Sequence, residues 1–121
     1  MIKILIIDDD QFLLDMYSVK FKESGFLVES AKNGSEATEK SQLFSPDIVL
    51  VDIVMPNMDG FETIRSLREK TGASVKIIAL SNLDQRDNID KALSSGADDY
   101  IIKADFTPSQ VLEKVKQILN I

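Results

Sequence analysis

The sequence predicts an α/β protein with five parallel strands in one sheet and helices on both faces of that sheet. Five short apolar runs recur along the 121 residues, and each is followed by a segment that suits a helix. The runs span residues 2–7 (IKILII), 26–31 (FLVESA), 47–51 (DIVLV), 75–80 (VKIIAL) and 100–102 (YII). Consecutive parallel strands need a crossover connection, which is usually a helix. The alternation therefore indicates a doubly wound (βα)5 fold.

The composition of each run indicates where its strand lies in the sheet. The first, third and fourth runs are nearly continuous isoleucine, valine and leucine. Such runs are typical of strands that are buried on both faces of a parallel sheet. The second run alternates more between apolar and polar residues, so we place it nearer an edge.

Three segments carry clear apolar faces at helical spacing. The residues of these faces are Phe12, Leu13, Met16, Tyr17 and Phe21, then Phe61, Ile64 and Leu67, then Val111, Leu112, Val115, Ile118 and Leu119. Gly25 follows the first helix where a C-terminal cap glycine is common. Thr107 and Gln110 form a capping box around a proline at the start of the last helix. Segments 35–44 and 85–95 have weaker patterns, but we expect helices there because the crossovers need them.

The bulk composition describes one ordinary domain over residues 1–121. The chain is 44% apolar and 28% charged, and its lack of cysteine excludes disulfides and thiolate metal sites. The net charge of −6 repels phosphate backbones, so we expect no direct binding to nucleic acid. No apolar run approaches the roughly 18 residues of a membrane span, and no signal peptide is evident. We therefore expect a cytoplasmic protein without membrane contact.

Polar side chains stand directly after four of the five predicted strands. They are Asp8, Asp9 and Asp10 after the first, Asp52 after the third, Ser81 and Asn82 after the fourth, and Lys103 after the fifth. In open α/β sheets the functional crevice lies beyond the carboxyl ends of the strands. These side chains, distant along the chain, are therefore expected to meet at one edge of the sheet.

A cluster of carboxylates indicates a bound cation, because like charges a few ångströms apart are unfavourable unless something positive joins them. Mg²⁺ suits this set, since it takes oxygen ligands and keeps positions for water and phosphoryl oxygens. Lys103 adds a mobile positive charge, and Ser81 adds a hydrogen-bond donor. An aspartate in such a site can act as a nucleophile and form an aspartyl phosphate.

Each of these residues also has an ordinary structural explanation. Aspartates are favoured at helix N-termini, and we expect Asp10 to cap the first helix. Asp52 alone could end a strand, Lys103 alone could be a solvated surface lysine, and Tyr100 alone could belong to the core. Their shared placement at the ends of strands favours the functional interpretation over coincidence.

With these residues in place, the whole chain resembles a response-regulator receiver domain of two-component signalling. The matching residues are Asp8 and Asp9 as the acidic pair, Asp52 as the phospho-acceptor, Ser81 and Tyr100 as the switch residues, and Lys103 as the family's lysine. Asp52 begins DIVMPNMDG, which fits the family's D-x-x-M-P-x-M-D-G, and Lys103 ends the similar stretch SSGADDYIIK. The resemblance implies a flavodoxin-like fold with strand order 2-1-3-4-5.

The resemblance also implies a donor and a metal. A sensor histidine kinase or a phosphotransfer protein donates a phosphoryl group to Asp52. Mg²⁺ is held by Asp9, Asp52 and the backbone carbonyl of Val54, and Asp8 contributes through water. The chain then catalyses only its own phosphoryl transfer and dephosphorylation, so the resemblance implies no enzyme with a separate substrate.

The output that the resemblance implies is a change of surface. Ser81 moves toward the phosphate and Tyr100 rotates inward. These movements alter the face formed by the fourth helix, the fifth strand and the fifth helix. That face acts on a downstream effector protein or on a fused output domain.

The loop after Asp52 has expected roles of its own. The strand fixes the position of Asp52, while Pro56 and Gly60 shape the loop that supplies the ligand carbonyl. Met55 and Met58 are expected to pack rather than to bind anything.

Two residues depart from the family's pattern. Ala104 stands where a proline, often after a cis peptide, usually follows the lysine. A cis bond before a non-proline residue is unfavourable by roughly 2.5–4 kcal/mol, so a trans or more mobile loop is expected. Asn82 replaces a smaller residue and either narrows access to Asp52 or contacts the phosphoryl group.

Val54 and Leu83 are apolar, and we expect them to hinder an attacking water and prolong the phosphorylated state.

Three other functions stay open on the sequence. A phosphatase of the haloacid-dehalogenase type needs a second acid two residues after its aspartate, where this chain has Val54. A flavodoxin-like FMN protein needs a loop after the first strand that binds phosphate. The three aspartates in that loop here would repel the phosphate. A degenerate receiver would keep the fold as an interaction module without the chemistry. The sequence also leaves open the kinase, the target, a phosphorylation-linked homodimer and whether the domain belongs to a longer chain.

Overall fold

A parallel β-sheet runs through the centre of the molecule, with helices on both of its faces. The computed structural model describes residues 1–55 and 59–121. The strands are β1 (Lys3–Ile7), β2 (Leu27–Ala31), β3 (Ile48–Val51), β4 (Lys76–Ser81) and β5 (Asp99–Ile102). The helices are α1 (Gln11–Glu23), α2 (Gly34–Phe44), α3 (Gly60–Thr71), α4 (Arg86–Ser95) and α5 (Pro108–Leu119), and a short 3-10 turn covers Lys103–Asp105. Each strand is followed by a helix, as the sequence predicts.

The strands are hydrogen-bonded in the order β2-β1-β3-β4-β5, and all neighbours are parallel. This order confirms the predicted doubly wound, flavodoxin-like fold. Ile7 lies beside both Ala31 and Val51, and Ser81 lies beside Ile102. The carboxyl ends of the strands therefore finish at one edge, where the residues that come after them can meet.

The central strands are buried on both faces, and the edge strand β2 is not. Residues 4–7 of β1 and all of β3 are at most 1% exposed, whereas Leu27 at the start of β2 is 45% exposed. Fully burying one such aliphatic side chain contributes about 1.5–3 kcal/mol. The predicted placement of these strands is confirmed. Within the described residues, the helices lack the combination of length and apolar character that a bilayer crossing requires.

The two faces of the sheet carry separate apolar cores. Helices α1 and α5 pack on one face through Leu14, Tyr17, Phe21, Val111 and Val115. Helices α2, α3 and α4 pack on the other face through Ala37, Phe61, Ile64, Leu67 and Ala92. Because both faces are covered, the strands are held firmly, and so are the residues at their ends.

Side-chain caps fix where the helices begin. Asp10 accepts hydrogen bonds from two backbone N–H groups in the first turn of α1, which confirms its predicted capping role. Asn33 and Asp59 cap α2 and α3 in the same way. Thr107 and Gln110 form the predicted capping box of α5. Each cap satisfies N–H groups that would otherwise lack partners and is typically worth about 1 kcal/mol.

The apolar face predicted for α1 is wrong in one respect. Phe12 lies on the outside with 70% of its surface exposed, while Leu14, which the prediction omitted, is 1% exposed. At 3.6 residues per turn, Leu14, Tyr17 and Phe21 share one side of the helix, and Phe12 falls on the opposite side. Phe12 therefore belongs to the surface of the protein rather than to its core.

Candidate functional site

Four strand ends bring polar side chains together at the carboxyl edge of the sheet. Asp8 follows β1, Asp52 follows β3, Ser81 ends β4 and Lys103 follows β5. Carboxylate oxygens of Asp8, Asp9 and Asp52 lie within 4.8 Å of one another. The structure thus brings together the acids that the sequence places at this edge.

Lys103 reaches two of these acids. Its Nζ donates a hydrogen bond to Asp8 Oδ2 at 2.7 Å and lies 3.5 Å from Asp52 Oδ2. The side chain of Lys103 is 11% exposed, and those of Asp8 and Asp52 are 3% and 10% exposed. Charges buried to this degree are screened little by solvent, so they interact more strongly than charges on the surface.

Burial dominates the titration of Asp52. Loss of solvent raises the pKa of this carboxyl from the usual 3.8 to about 6, against the opposing charge of Lys103. Repulsion from Asp8 adds to the rise of the pKa, and a hydrogen bond from the Val54 backbone N–H opposes it. Burial alone would lower the pKa of Lys103, but its hydrogen bond to Asp8 and the charges of both acids raise it. The lysine therefore stays positively charged, and its charge only partly offsets the effect of burial on the pKa of Asp52.

The charge and chemistry of this cluster suit a hard divalent cation. Three carboxylates face one ammonium group, so the formal net charge is −2, three acids less one lysine. The clustered carboxylate donors are oxygen atoms, as Mg²⁺ and Ca²⁺ prefer. Asp9 is exposed while Asp8 and Asp52 are buried, so the cluster opens to solvent on one side. That opening leaves room for the waters and phosphoryl oxygens that Mg²⁺ keeps among its ligands.

Backbone hydrogen bonds hold the two buried acids in place. Asp8 Oδ1 accepts from the Asp10 N–H at 2.9 Å. The Asp52 N–H donates to the Ile7 carbonyl at 2.9 Å, and Asp52 Oδ1 accepts from the Val54 N–H at 3.3 Å. The amide of Val54 is thus committed to Asp52, and the ligand role of the Val54 carbonyl stays a prediction.

The backbone after Asp52 passes very close to the first residue of α3. Gly60 donates its N–H to the Ile53 carbonyl at 2.8 Å, and a Cβ atom at Gly60 would overlap the backbone of Ile53 and Asp52. Glycine is needed here because two backbone segments approach each other, which leaves no space for a side chain.

We expect Gly60→Ala to lower the free energy of unfolding by about 2–4 kcal/mol, because the backbone must move to admit the methyl group. The displaced backbone carries Asp52, so binding of divalent cations should weaken as well. Urea unfolding with and without Mg²⁺ measures both effects. Glu62→Ala, an exposed change in the same helical turn, is the control, and equal stability of the two variants would contradict the close approach.

The other residues predicted for the loops around Asp52 have varied surroundings. Met55 packs against the apolar core beneath α3, as expected. Pro56 and Met58 lie outside the described residues. The Val54 side chain is 61% exposed, whereas Leu83 is partly buried against the same core as Met55.

The backbone of Leu83, in the loop after β4, makes one hydrogen bond with Ser81 at the end of β4 and another with Tyr100 in β5. Ser81 is 1% exposed, and its Oγ accepts from the Leu83 N–H at 3.2 Å. The Tyr100 hydroxyl donates to the Leu83 carbonyl at 2.6 Å. Sequence reasoning singled out Ser81 and Tyr100 but missed the carbonyl between them, because a backbone acceptor leaves no mark in the sequence.

Comparison with known families accounts for this combination of fold and acidic edge. The family model described as the response regulator receiver domain matches residues 4–116. The chain belongs to the response-regulator receiver family. Receiver domains bind Mg²⁺ at an acidic pocket, and in this receiver the three clustered aspartates form such a pocket. Membership makes the protein a signalling domain.

Relatives of this receiver match it over nearly its full length. The chemotaxis protein CheY of Bacillus subtilis is 37% identical over 119 residues, which cover 98% of each chain. A two-component response regulator from Clostridium difficile superposes with a TM-score of 0.92 at 29% identity, covering 99% of this receiver and 97% of that chain. A chain in the CheX–CheY–BeF3–Mg²⁺ complex of Borrelia burgdorferi gives a TM-score of 0.89 at 29% identity, covering 98% and 89%.

The two departures from the receiver pattern border one cavity. Asn82 and Ala104 lie with Tyr17 and Lys103 around a space of about 300 Å³. The Lys103–Ala104 peptide is trans, in line with the expectation for a non-proline residue. Tyr17 is a residue that the sequence assigned only to the core face of α1. The signal in the sequence was its hydroxyl, because a tyrosine at a core position usually brings a polar group that seeks a hydrogen-bond partner.

Proposed function

We propose that this receiver accepts a phosphoryl group on Asp52 from the phosphohistidine of a sensor histidine kinase or phosphotransfer protein in a Mg²⁺-dependent reaction. The observation that supports this most is the arrangement of charge around Asp52. Lys103 Nζ lies 3.5 Å from its carboxylate, and the carboxylates of Asp8 and Asp9 lie beside it. The reactive oxygen is thus placed among groups that can neutralise an incoming phosphoryl group.

The transfer is a displacement at phosphorus. An oxygen of Asp52 forms the new O–P bond, the P–N bond of the donor's phosphohistidine breaks, and its electron pair stays on the imidazole nitrogen. Asp52 must be ionised to attack, and Lys103 favours that form. Because Lys103 is charged and adjacent, it can pair with the transferred oxygens as Asp52 gives up its own negative charge.

The acidic cluster supplies the metal ligands in this proposal. Asp9, Asp52 and the backbone carbonyl of Val54 would hold Mg²⁺, and Asp8 would act through water. Bound Mg²⁺ would contribute positive charge beside the transferred oxygens. The opening of the cluster on the side of Asp9 gives the donor access to Asp52.

The two hydrogen bonds of the Leu83 backbone, one with Ser81 and one with Tyr100, give a route from Asp52 to the surface. Ser81 Oγ, which accepts from the Leu83 N–H, can turn toward a phosphoryl oxygen on Asp52. The Leu83 carbonyl that accepts from Tyr100 belongs to the same loop, so movement of Ser81 changes what holds Tyr100. The phosphorylated state is thereby relayed to the face formed by α4, β5 and α5.

That face is the proposed contact for a downstream effector protein or a fused output domain. Helix α4 carries exposed apolar surface, since Leu93 is 43% exposed. The solved complex from Borrelia burgdorferi contains both CheX and CheY, and an effector of this receiver would likewise be a protein.

The same face could join two phosphorylated copies, which light scattering before and after phosphorylation would detect. We propose residues 1–121 as one cytoplasmic domain that needs neither nucleic acid nor membrane for this chemistry.

Incubation with acetyl phosphate tests the chemistry without a kinase. With Mg²⁺ present, intact-mass spectrometry is expected to show a gain of one phosphoryl group per chain. Excess EDTA should prevent the gain. A chain that stays unmodified under both conditions would support the alternative of a receiver that acts only as an interaction module.

We predict that polar replacements at Val54 and Leu83 accelerate dephosphorylation. The native side chains are apolar and stand two residues after Asp52 and two residues after Ser81, so they offer nothing to orient an attacking water. The variant Val54→Asn with Leu83→Gln is expected to lose its phosphoryl group about tenfold faster, which corresponds to about 1.4 kcal/mol of barrier. Loss of the added mass over time after removal of acetyl phosphate gives the rate, and an unchanged rate would end this idea.

A further inference from the structure

The cavity of about 300 Å³ beside Lys103 contains a tyrosine that the proposed chemistry leaves unused. The residues that line it are Leu13, Met16, Tyr17, Asn82, Lys103, Ala104, Phe106 and Pro108. Most of them are apolar, and the polar exceptions are Tyr17, Asn82 and Lys103. Water can reach the polar groups on this wall, and among the described residues no fully buried side-chain polar atom lacks a hydrogen-bond partner.

Tyr17 is fixed by its surroundings, and its hydroxyl makes no hydrogen bond to another described residue but is open to the cavity. It is 3% exposed and packs in the core formed by α1, α5 and the sheet. Burial raises the pKa of its hydroxyl above the usual 10.0, and the charges that act on the hydroxyl are those of Lys103, Asp8 and Asp52. The hydroxyl is therefore neutral, held next to the acidic cluster, and free to take a hydrogen bond.

Lys103 will need another acceptor when a cation binds. Its short hydrogen bond is to Asp8, and Asp8 belongs to the carboxylate cluster that would surround the cation. A divalent cation and an ammonium group repel each other and compete for the same carboxylate. A neutral acceptor does not attract the cation strongly, so it can hold the lysine without weakening the metal site.

We propose that the Tyr17 hydroxyl is this neutral acceptor, and that it positions the Lys103 ammonium for the phosphoryl group while a divalent cation occupies Asp8, Asp9 and Asp52. This proposal rests on the function proposed above and adds a positioning residue to it. In the metal-free protein Lys103 bonds to Asp8. With the cation bound, Lys103 Nζ turns toward Tyr17 and keeps its remaining N–H groups for Asp52 and its phosphoryl oxygens.

Asn82 is the other neutral acceptor that borders the cavity, and Tyr17 is better suited to the role. Asn82 is exposed, so its amide is hydrated and has to exchange water for the lysine. Tyr17 is held by core packing and loses little freedom on accepting a hydrogen bond. The two residues can therefore be separated by substitution.

The test monitors the side-chain ammonium of Lys103 directly by NMR in the ¹⁵N-lysine-labelled protein. Saturating Mg²⁺ is added to the wild type, to Tyr17→Phe, to Asn82→Ala and to the control Met16→Leu, which alters the cavity wall without changing a polar group. In the wild type, the control and Asn82→Ala, the Lys103 ammonium signal should remain protected from exchange with water. In Tyr17→Phe the exchange should be roughly tenfold faster, the scale of one lost hydrogen bond to a charged group, and Mg²⁺ should bind more weakly because Lys103 returns to Asp8.

Each remaining outcome overturns the proposal. Equal exchange in Tyr17→Phe and wild type would show that Tyr17 does not hold Lys103, and loss of protection only in Asn82→Ala would assign the role to Asn82. Absence of Mg²⁺ binding by the wild type would also refute it. If Tyr17→Phe does not fold, a nuclear Overhauser contact between the Tyr17 ring and the Lys103 Hε protons in the Mg²⁺-bound wild type decides the matter. None of these measurements needs phosphorylation, so failure of acetyl phosphate labelling would count against the proposed function alone.

Discussion

Replacing Asp52 with asparagine is expected to abolish phosphorylation by acetyl phosphate completely. Asparagine has nearly the shape of aspartate, but its amide oxygen carries no full negative charge and cannot form a stable ester with phosphorus. The substitution also removes one carboxylate from the acidic cluster, whose oxygens lie within 4.8 Å of one another. Intact-mass spectrometry after incubation with acetyl phosphate and Mg²⁺ should show no added phosphoryl group.

Asp10→Asn is the matched control for this substitution. Asp10 stands in the same acidic run as Asp8 and Asp9, but its side chain caps α1. Asparagine is an equally good N-cap residue, so the helix should begin at the same place. The control is expected to be labelled like the wild type. Labelling of Asp52→Asn at the wild-type rate would place the acceptor elsewhere.

Asp52→Asn is also expected to stabilise the metal-free protein by about 1–3 kcal/mol at pH 7, because a raised carboxyl pKa means that the ionised form is unfavourable in the folded state. The pKa of Asp52 is about 6 in the folded protein against the usual 3.8. Between these values the folded state binds more protons than the unfolded state, so the contribution of Asp52 to stability falls as the pH rises from about 4 to about 6. Above that window the penalty is constant. Lys103 keeps its partner Asp8 in the variant, so no charge is left unpaired.

Urea unfolding across this pH range, without metal, measures the effect. The gap between Asp52→Asn and the wild type should be small near pH 4 and reach its full size near pH 7. Mg²⁺ should raise the stability of the wild type, since a ligand that binds only the folded state stabilises it, and should affect the variant less. A variant less stable than the wild type at pH 7 would mean that Lys103 more than compensates the buried charge.

The sheet could be predicted almost entirely from the sequence, because burial on both faces forces a continuous apolar run. Residues 48–51, all fully buried, show this most clearly. The acidic edge could be derived from the fold, because the residues that follow parallel strands all lie at the same edge of the sheet. The helix caps could be predicted as well, because Asp10 and Thr107 bond to backbone N–H groups only two or three residues further along the chain.

Features that depend on distant contacts were harder to predict. The exposed Phe12 was misassigned because a run of neighbouring apolar residues does not show which side of a helix meets the sheet. The placement of Tyr17 and Lys103 around one cavity depends on how α1 packs on the sheet relative to the turn that follows β5. The Leu83 carbonyl belongs to the backbone, which every residue shares. Gly60 was expected to shape its loop, but only the structure shows the close approach to Ile53 that requires it.

Mapping the phosphorylated residue is the most direct test of the proposed phosphoryl acceptor. The protein is incubated with acetyl phosphate and Mg²⁺, reduced with borohydride to convert an aspartyl phosphate to homoserine, and digested for peptide mass spectrometry. We predict homoserine at position 52 alone, and none when EDTA replaces Mg²⁺. Homoserine at another aspartate, or its absence in the presence of Mg²⁺, would contradict the proposal that Asp8, Asp9 and Lys103 serve a phosphoryl acceptor at Asp52.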